Sequence, residues 1–220
     1  MNQALTVLFG AIIGVVLGLV AESLIKKIDL QVRVSRTVLV MCGLILGVIF
    51  ALLIVDRFVA FELRLAFAIL CAGLLVQSMI DAYTHRLVRQ ITHTMAISGV
   101  LILGFYALQN SLEKSLISAG VCAIADIAIS FLTSKFSKVG LGAGDVRLMA
   151  VLGWHIGFLS YSAAIWAIFA ACCFASIFGL ALVAARRGSL QHRIAFGPFL
   201  GLGTVTAIFA NEMLPSLFIV

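Results

Sequence analysis

The chain has 220 residues, of which 63% are apolar and 11% charged, with a formal net charge of +6 and a mean hydropathy of +1.22. One soluble domain of this length cannot hide that much apolar side chain, so a water-soluble globular fold is excluded and the bilayer is the solvent. In a membrane chain, excess Lys and Arg are first an orientation signal, and no nucleic-acid partner is implied.

The apolar runs approach the roughly 20 residues that cross about 30 Å of hydrocarbon, and they do not alternate as barrel strands would. The expected fold is all-α: a polytopic bundle of about eight membrane segments forming one domain over residues 1–220. The first segment, residues 4–25 within "MNQALTVLFGAIIGVVLGLVAESLIKK", lacks a basic start and is too long for a secretory signal. It reads as a retained helix whose start lies on the outer, non-cytoplasmic side. Its glycines at 10, 14 and 18, and those at 43 and 47 in the second segment (37–55), are spaced to let neighbouring helices approach within one monomer. Segments follow at 61–80, 91–108, 115–132, 146–158, 159–185 and 194–210. The sixth would be about 20 Å long at 1.5 Å per residue, so it is either a partial crossing or shares the excess length of the seventh.

Charge tests this count. Lys26, Lys27, Arg33, Arg36, Arg86, Arg89, Lys135, Lys138, Arg147, Arg186, Arg187 and Arg193 all fall in or just past the loops after segments one, three, five and seven, leaving Arg57, Arg64 and Lys114 for the other side. The positive-inside rule places the first set in the cytoplasm and both termini outside. The basic loops can also meet anionic lipid headgroups. Cys42, Cys71, Cys122, Cys172 and Cys173 sit in apolar runs without a CxxC pair, which reads as packing rather than disulfide or zinc chemistry. His93, His155 and His192 are scattered, so neither metal nor cofactor is expected.

Of the acidic residues, Glu22, Asp29, Asp56, Glu62, Glu113 and Glu212 lie where water or a headgroup can solvate them. Asp81, Asp126 and Asp145 remain. Asp81 and Asp145 are 64 residues apart, yet the topology places each at a helix end on the cytoplasmic face, so they can meet. Two carboxylates in contact cannot both ionise cheaply: one keeps a proton and the other acts as a base. Such a pair activates water and polarises a scissile carbonyl without a metal. Gly140, Gly142 and Gly144, just ahead of Asp145, leave room for a substrate backbone and permit positive φ.

The stretch "GAGD" at 142–145, with the following "VRLMAVLGW", resembles the GxGD signature of the type IV prepilin peptidase family, which are membrane aspartic proteases. "MIDAYTHRLVRQITH" resembles that family's first catalytic segment, and "IAFGPFLGLG" its late FGP segment. The resemblance implies that Asp81 and Asp145 are the catalytic pair of a short-form enzyme. It would remove the basic leader of type IV prepilin or pseudopilin precursors at the cytoplasmic face of the bacterial inner membrane. Gly142, Gly144, Arg147, Gly197 and Pro198 are the residues expected to shape the site or bind substrate, with Gly197 and Pro198 breaking or kinking the last helix. The sequence departs from the family twice. Val88 stands where a proline often follows the first Asp, and the paired CxxC motifs that accompany methylation of the new amino terminus are missing. Peptidase activity is therefore expected without methyltransferase activity, S-adenosylmethionine or zinc.

Asp126, inside the fifth segment, is the rival centre, because an acid at that depth is expensive when ionised. The plainer reading is a protonated Asp hydrogen-bonded to a Ser or Thr on a neighbouring helix. His85, four residues after Asp81, would share its face if the helix continued, and would then tune it. Three other readings stand beside the peptidase. A proton-coupled transporter would relay through Asp81, Asp126 and Asp145. A presenilin-type protease would need a PAL-like late motif, where "FGPFL" stands instead. A non-catalytic assembly subunit would need none of the three acids.

Overall fold

In hydrocarbon every main-chain N–H and C=O must be satisfied within its own segment, and the apolar runs meet this demand as helices. A computed structural model describes residues 2–136, 142–185 and 195–210, with no strand among them. In chain order the helices are α1 (Gln3–Ile28), α2 (Arg36–Arg57), α3 (Phe61–Thr84), α4 (Arg89–Gln109), α5 (Glu113–Phe136), α6 (Ala143–Leu159), α7 (Tyr161–Ala184) and α8 (Gly197–Phe209). Each corresponds to one of the predicted segments. Helices α1 to α5 and α7 are long and apolar enough to cross a membrane, whereas α6 has 17 residues and α8 has 13. The chain is a multi-pass helical membrane protein. Its helices form two compact units, Met1–Leu112 and Glu113–Val220, and each is a bundle in its own right.

In the first unit, α1 and α2 run antiparallel along a seam of glycines. Gly10 faces Gly47, Gly14 faces Gly43, and Gly18 faces the carbonyl of Leu39. A Cβ on Gly14 would fall on the Gly43 carbonyl, so the absence of side chains sets the helix separation, as it does in other small-residue membrane interfaces. The outer faces of both helices carry exposed Leu, Ile, Val and Phe, among them Leu8, Phe9, Ile12 and Ile45, suited to lipid. Helix α3 packs back against this pair: Leu75, Val76, Met79 and Ile80 form one buried cluster with Ala21 and Ile25 of α1 and Leu39 of α2. The end of α3 therefore lies at the end of the unit that carries Lys26, Lys27 and Arg36. Arg57 and Arg64 lie at the opposite end, where Arg64 Nε donates to the Phe58 carbonyl at 2.6 Å.

In the second unit, α5 and α6 are antiparallel and equally close. Gly157 faces Ser118 and Cys122, and Gly153 faces Cys122, Ala123 and Asp126. Helices α7 and α8 pair through Gly203 against Ala167 and Ala171, with Phe178 and Phe199 5.4 Å apart. Ser160 separates α6 from α7: its extended backbone ends α6, and its hydroxyl oxygen accepts the Ala163 N–H at 3.0 Å. The sixth segment thus does not share the seventh's length. At about 26 Å, α6 starts earlier than its hydropathy alone indicated, because the helix begins at Ala143.

The glycine seam yields a first prediction. Gly14→Ala places a methyl against backbone that has no side chain to move, and should lower stability in detergent by about 1–3 kcal/mol. Gly104→Ala, which meets nothing within 4 Å, should leave stability unchanged or raise it by up to about 1 kcal/mol. Equal unfolding midpoints for the two variants in a denaturant titration would contradict this account of the seam.

Candidate active site

Asp81 stands in the last turn of α3 and is 5% exposed. The helix ends one turn later. His85 adopts the left-handed conformation (φ 51°, ψ 35°) and its N–H donates to the Asp81 carbonyl at 2.9 Å. The helix does not continue, so His85 does not share Asp81's helix face. It is exposed and acts on Asp81 through the backbone as a C-cap. The Thr84 hydroxyl donates to the Ile80 carbonyl at 2.9 Å, closing the same turn. One turn ahead of Asp81, the fully buried Gln77 holds the returning chain. Its Nε2 donates to the Val88 carbonyl at 3.0 Å and to Thr92 Oγ1 at 2.8 Å, and its Oε1 accepts the Val88 N–H at 2.8 Å. Hydropathy and charge pattern do not single out Gln77. An amide in the apolar run "LLVQSMID", four residues before the candidate acid, was the available signal. Val88 is now also accounted for: the N–H that a proline would lack is the one Gln77 holds.

Near the same end of the unit, Glu22 is buried rather than solvated. Its carboxylate pairs with Lys26 at 2.5 Å and approaches Arg36 Nε at 3.5 Å. This pairing ties α1 to α2 and leaves Lys27, Arg33, Arg86 and Arg89 as exposed basic groups of the first unit's Asp81 end.

Asp145 occupies the third position of α6, in its first turn, and is half-buried. The N-cap is Gly142, which offers no side-chain cap, and the helix macrodipole favours negative charge at this end. A Cβ on Gly142 would stand 3.3 Å from Asp145 Oδ2, so the glycine keeps the space beside the carboxylate open. Its φ is −62°, and no described glycine has positive φ. The contribution of Gly142 is therefore room, not handedness, and Gly144 has no positive φ either; Gly140 lies outside the described residues. Arg147 is exposed two residues further on. The pairing of Phe178 with Phe199 brings the start of α8 to the Asp145 end of the second unit. There Gly197 and Pro198 begin the helix, with Phe196 as N-cap, and do not kink it. Proline suits a first turn, where its missing N–H has no helical partner to lose. Of the basic residues assigned to this end, Lys138, Arg186, Arg187 and Arg193 lie outside the described residues.

Asp126 is 5% exposed in the middle of α5. Gly153 of α6 makes room for it, since a Cβ there would stand 2.6 Å from Asp126 Oδ2. The carboxyl and Thr204 of α8 line one cavity of about 10 Å³, otherwise walled by apolar side chains such as Leu152 and Ile156. Thr204 Oγ1 is buried without a hydrogen-bond partner among the described residues. The cavity has room for one water between acid and hydroxyl. The direct Ser or Thr bond expected for Asp126 is thus replaced by a shared space.

The family model described as "Type IV leader peptidase family" matches residues 68–180. The chain belongs to this family. Comparisons with curated proteins and with solved structures found no match. As a member of the type IV leader peptidase family the chain is a peptidase, and its substrate class is the prepilin-like precursor. The matched span holds both Asp81 and Asp145, whereas the FGP segment at 196–198 lies beyond it.

The left-handed cap supplies a second prediction. A non-glycine residue in that conformation costs about 1–2 kcal/mol, and glycine escapes the cost. His85→Gly should therefore raise the unfolding midpoint in detergent; a lowered midpoint would show that the His85 side chain makes a stabilising contact that the cap geometry omits.

Proposed function

We propose that the chain is an intramembrane aspartic endopeptidase that removes the short basic leader from type IV prepilin or pseudopilin precursors at the cytoplasmic face of the bacterial inner membrane. The observation that carries this reading is the placement of two acids at helix ends: Asp81 in the last turn of α3 and Asp145 in the first turn of α6. The alternation of basic loops supports the same membrane face for both, with both termini outside. In the first unit, Asp81 shares its end with Lys26, Lys27 and Arg36, as that topology requires.

In the proposed reaction the two units act as one peptidase domain and the two carboxyls share one proton. The ionised carboxylate takes a proton from water, whose oxygen attacks the scissile carbonyl carbon. The protonated carboxyl donates to the carbonyl oxygen as the tetrahedral intermediate forms. Collapse of the intermediate breaks the C–N bond, and the leaving amine takes up a proton. The open backbone at Gly142 and Gly144 would admit an extended peptide beside Asp145, with Arg147, Gly197 and Pro198 at the margin of that opening. A basic leader would remain on the cytoplasmic side by the same rule that orients the enzyme, which puts its junction with the apolar helix at the depth of the acids. Membrane lipid is the other partner, and no nucleic acid takes part.

The 220 residues contain no CxxC pair, which supports peptidase activity without amino-terminal methylation. The purified chain should not transfer labelled methyl groups to cleaved pilin; labelled product would overturn this part of the proposal. For cleavage itself, a pilin precursor is incubated with purified protein in detergent or lipid and the product mass is measured. Asp81→Asn and Asp145→Asn should each lower the rate at least about a hundredfold, whereas Asp126→Asn should retain activity. If Asp126→Asn is as inactive as the other two, the proton-relay reading gains and the two-acid site fails.

A further inference from the structure

We infer that Gln77 is a positioning residue for the reaction, acting on Asp81 through the turn between α3 and α4. The inference rests on the reading of Asp81 as a catalytic acid. Gln77 and Asp81 are four residues apart on one helix and lie on the same face, both buried at 1% and 5% exposure. A primary amide in this position is unusual in its completeness of pairing. It grips both polar groups of a single peptide position, accepting the Val88 N–H at 2.8 Å and donating to the Val88 carbonyl at 3.0 Å, and its second N–H reaches Thr92 Oγ1 at 2.8 Å. The amide does for the returning chain what a neighbouring strand would do, and its own burial leaves it no water as a substitute partner.

The consequence for Asp81 comes from the shortness of the connection. Residues 85–88 link the end of α3 to the start of α4. They are pinned at two points: the His85 N–H on the Asp81 carbonyl, and Val88 on Gln77. Asp81 lies between these points, one turn after the clamp and one turn before the cap. With both fixed, the backbone of the last turn of α3 has one conformation, and the Asp81 side chain leaves the helix in one direction. With Val88 released, the left-handed residue at 85 loses the restraint that holds it in a sparsely populated region, and the turn carrying Asp81 can unwind. Truncating Gln77 therefore misdirects a group that touches substrate without removing any group that does, and a displacement of that kind acts on the chemical step more than on binding.

The test compares Gln77→Met, of similar size but without hydrogen-bonding groups, with the double variant Gln77→Met/Val88→Pro. Proline at 88 removes the N–H that Gln77 satisfied. The observed φ of −81° at Val88 lies close to proline's fixed value, so the substitution restores the restraint by a different route. Cleavage of a pilin precursor by the full chain should show kcat lowered about tenfold or more in Gln77→Met with KM within about twofold, and the double variant should recover most of the loss. Full kcat in Gln77→Met, or a double variant as slow as the single one, would overturn the inference. If Gln77→Met does not yield folded protein, Thr92→Val carries the test, since it removes one contact of the clamp and leaves Gln77 in place. It should lower kcat by a few fold at unchanged KM, and an unaltered kcat would overturn the inference. Asp81→Asn, assayed in parallel, separates the two levels. An active Asp81→Asn defeats the reading of the site itself, whereas an inactive Asp81→Asn with a fully active Gln77→Met defeats only the role given to Gln77.

Discussion

Within hydrocarbon the helix ladder consumes the main-chain polar groups, and an ionisable side chain in mid-helix has neither water nor backbone to support it. Helix ends escape both restrictions. They stand near the headgroups, and their unpaired main-chain groups can be matched to a charge. This constraint sorts the three acids of the chain that invite a function. Asp81 and Asp145 belong to helix ends, one closing α3 and the other opening α6. Asp126 belongs to the middle of α5 and is accommodated by a glycine on α6 and a water-sized space shared with Thr204.

Small residues are the means by which the rest of the structure serves those ends. The Gly10, Gly14 and Gly18 face of α1 lies on α2 so closely that the pair behaves as one wall, against which α3 packs its last three turns. In the second unit, Gly153 and Gly157 bring α6 onto α5, and Gly203 brings α8 onto α7. Apolar burial gives little net drive between helices already dissolved in lipid, so close backbone approach and the few polar contacts carry the specificity. The Glu22 pairing with Lys26 and Arg36 and the Gln77 clamp are two such contacts. Both are found in the part of the first unit that presents Asp81.

Much of this was legible in the sequence because bilayer thickness and charge asymmetry act on whole segments. The apolar runs located all the helices described, and the spacing of glycines on α1 and α2 foretold their seam. What escaped was decided by single residues. The break at Ser160 depends on one extended residue and one hydroxyl cap, which hydropathy does not register. His85 looked like a neighbour of Asp81 at helical spacing, but its left-handed backbone ends the helix and turns a side-chain role into a main-chain one. Gly142 left two readings open, room for a backbone and a positive φ, and its φ of −62° excludes only the second. Glu22 looked like an interfacial acid, because its partner Arg36 comes from the next helix and sequence spacing does not show tertiary pairing. Pro198 pointed to a kink, whereas the first turn of a helix accommodates proline without one.

The central claim is the proposal that Asp81 and Asp145 act together as one catalytic pair. The most direct measurement is cross-linking of a chain in which the five native cysteines are replaced and cysteines stand at positions 81 and 145. Under mild oxidation in membranes, the account predicts an intramolecular disulfide, read by protection of both thiols from a maleimide and reversed by reductant. Two thiols that each react freely with the maleimide, in protein that remains folded, would contradict it.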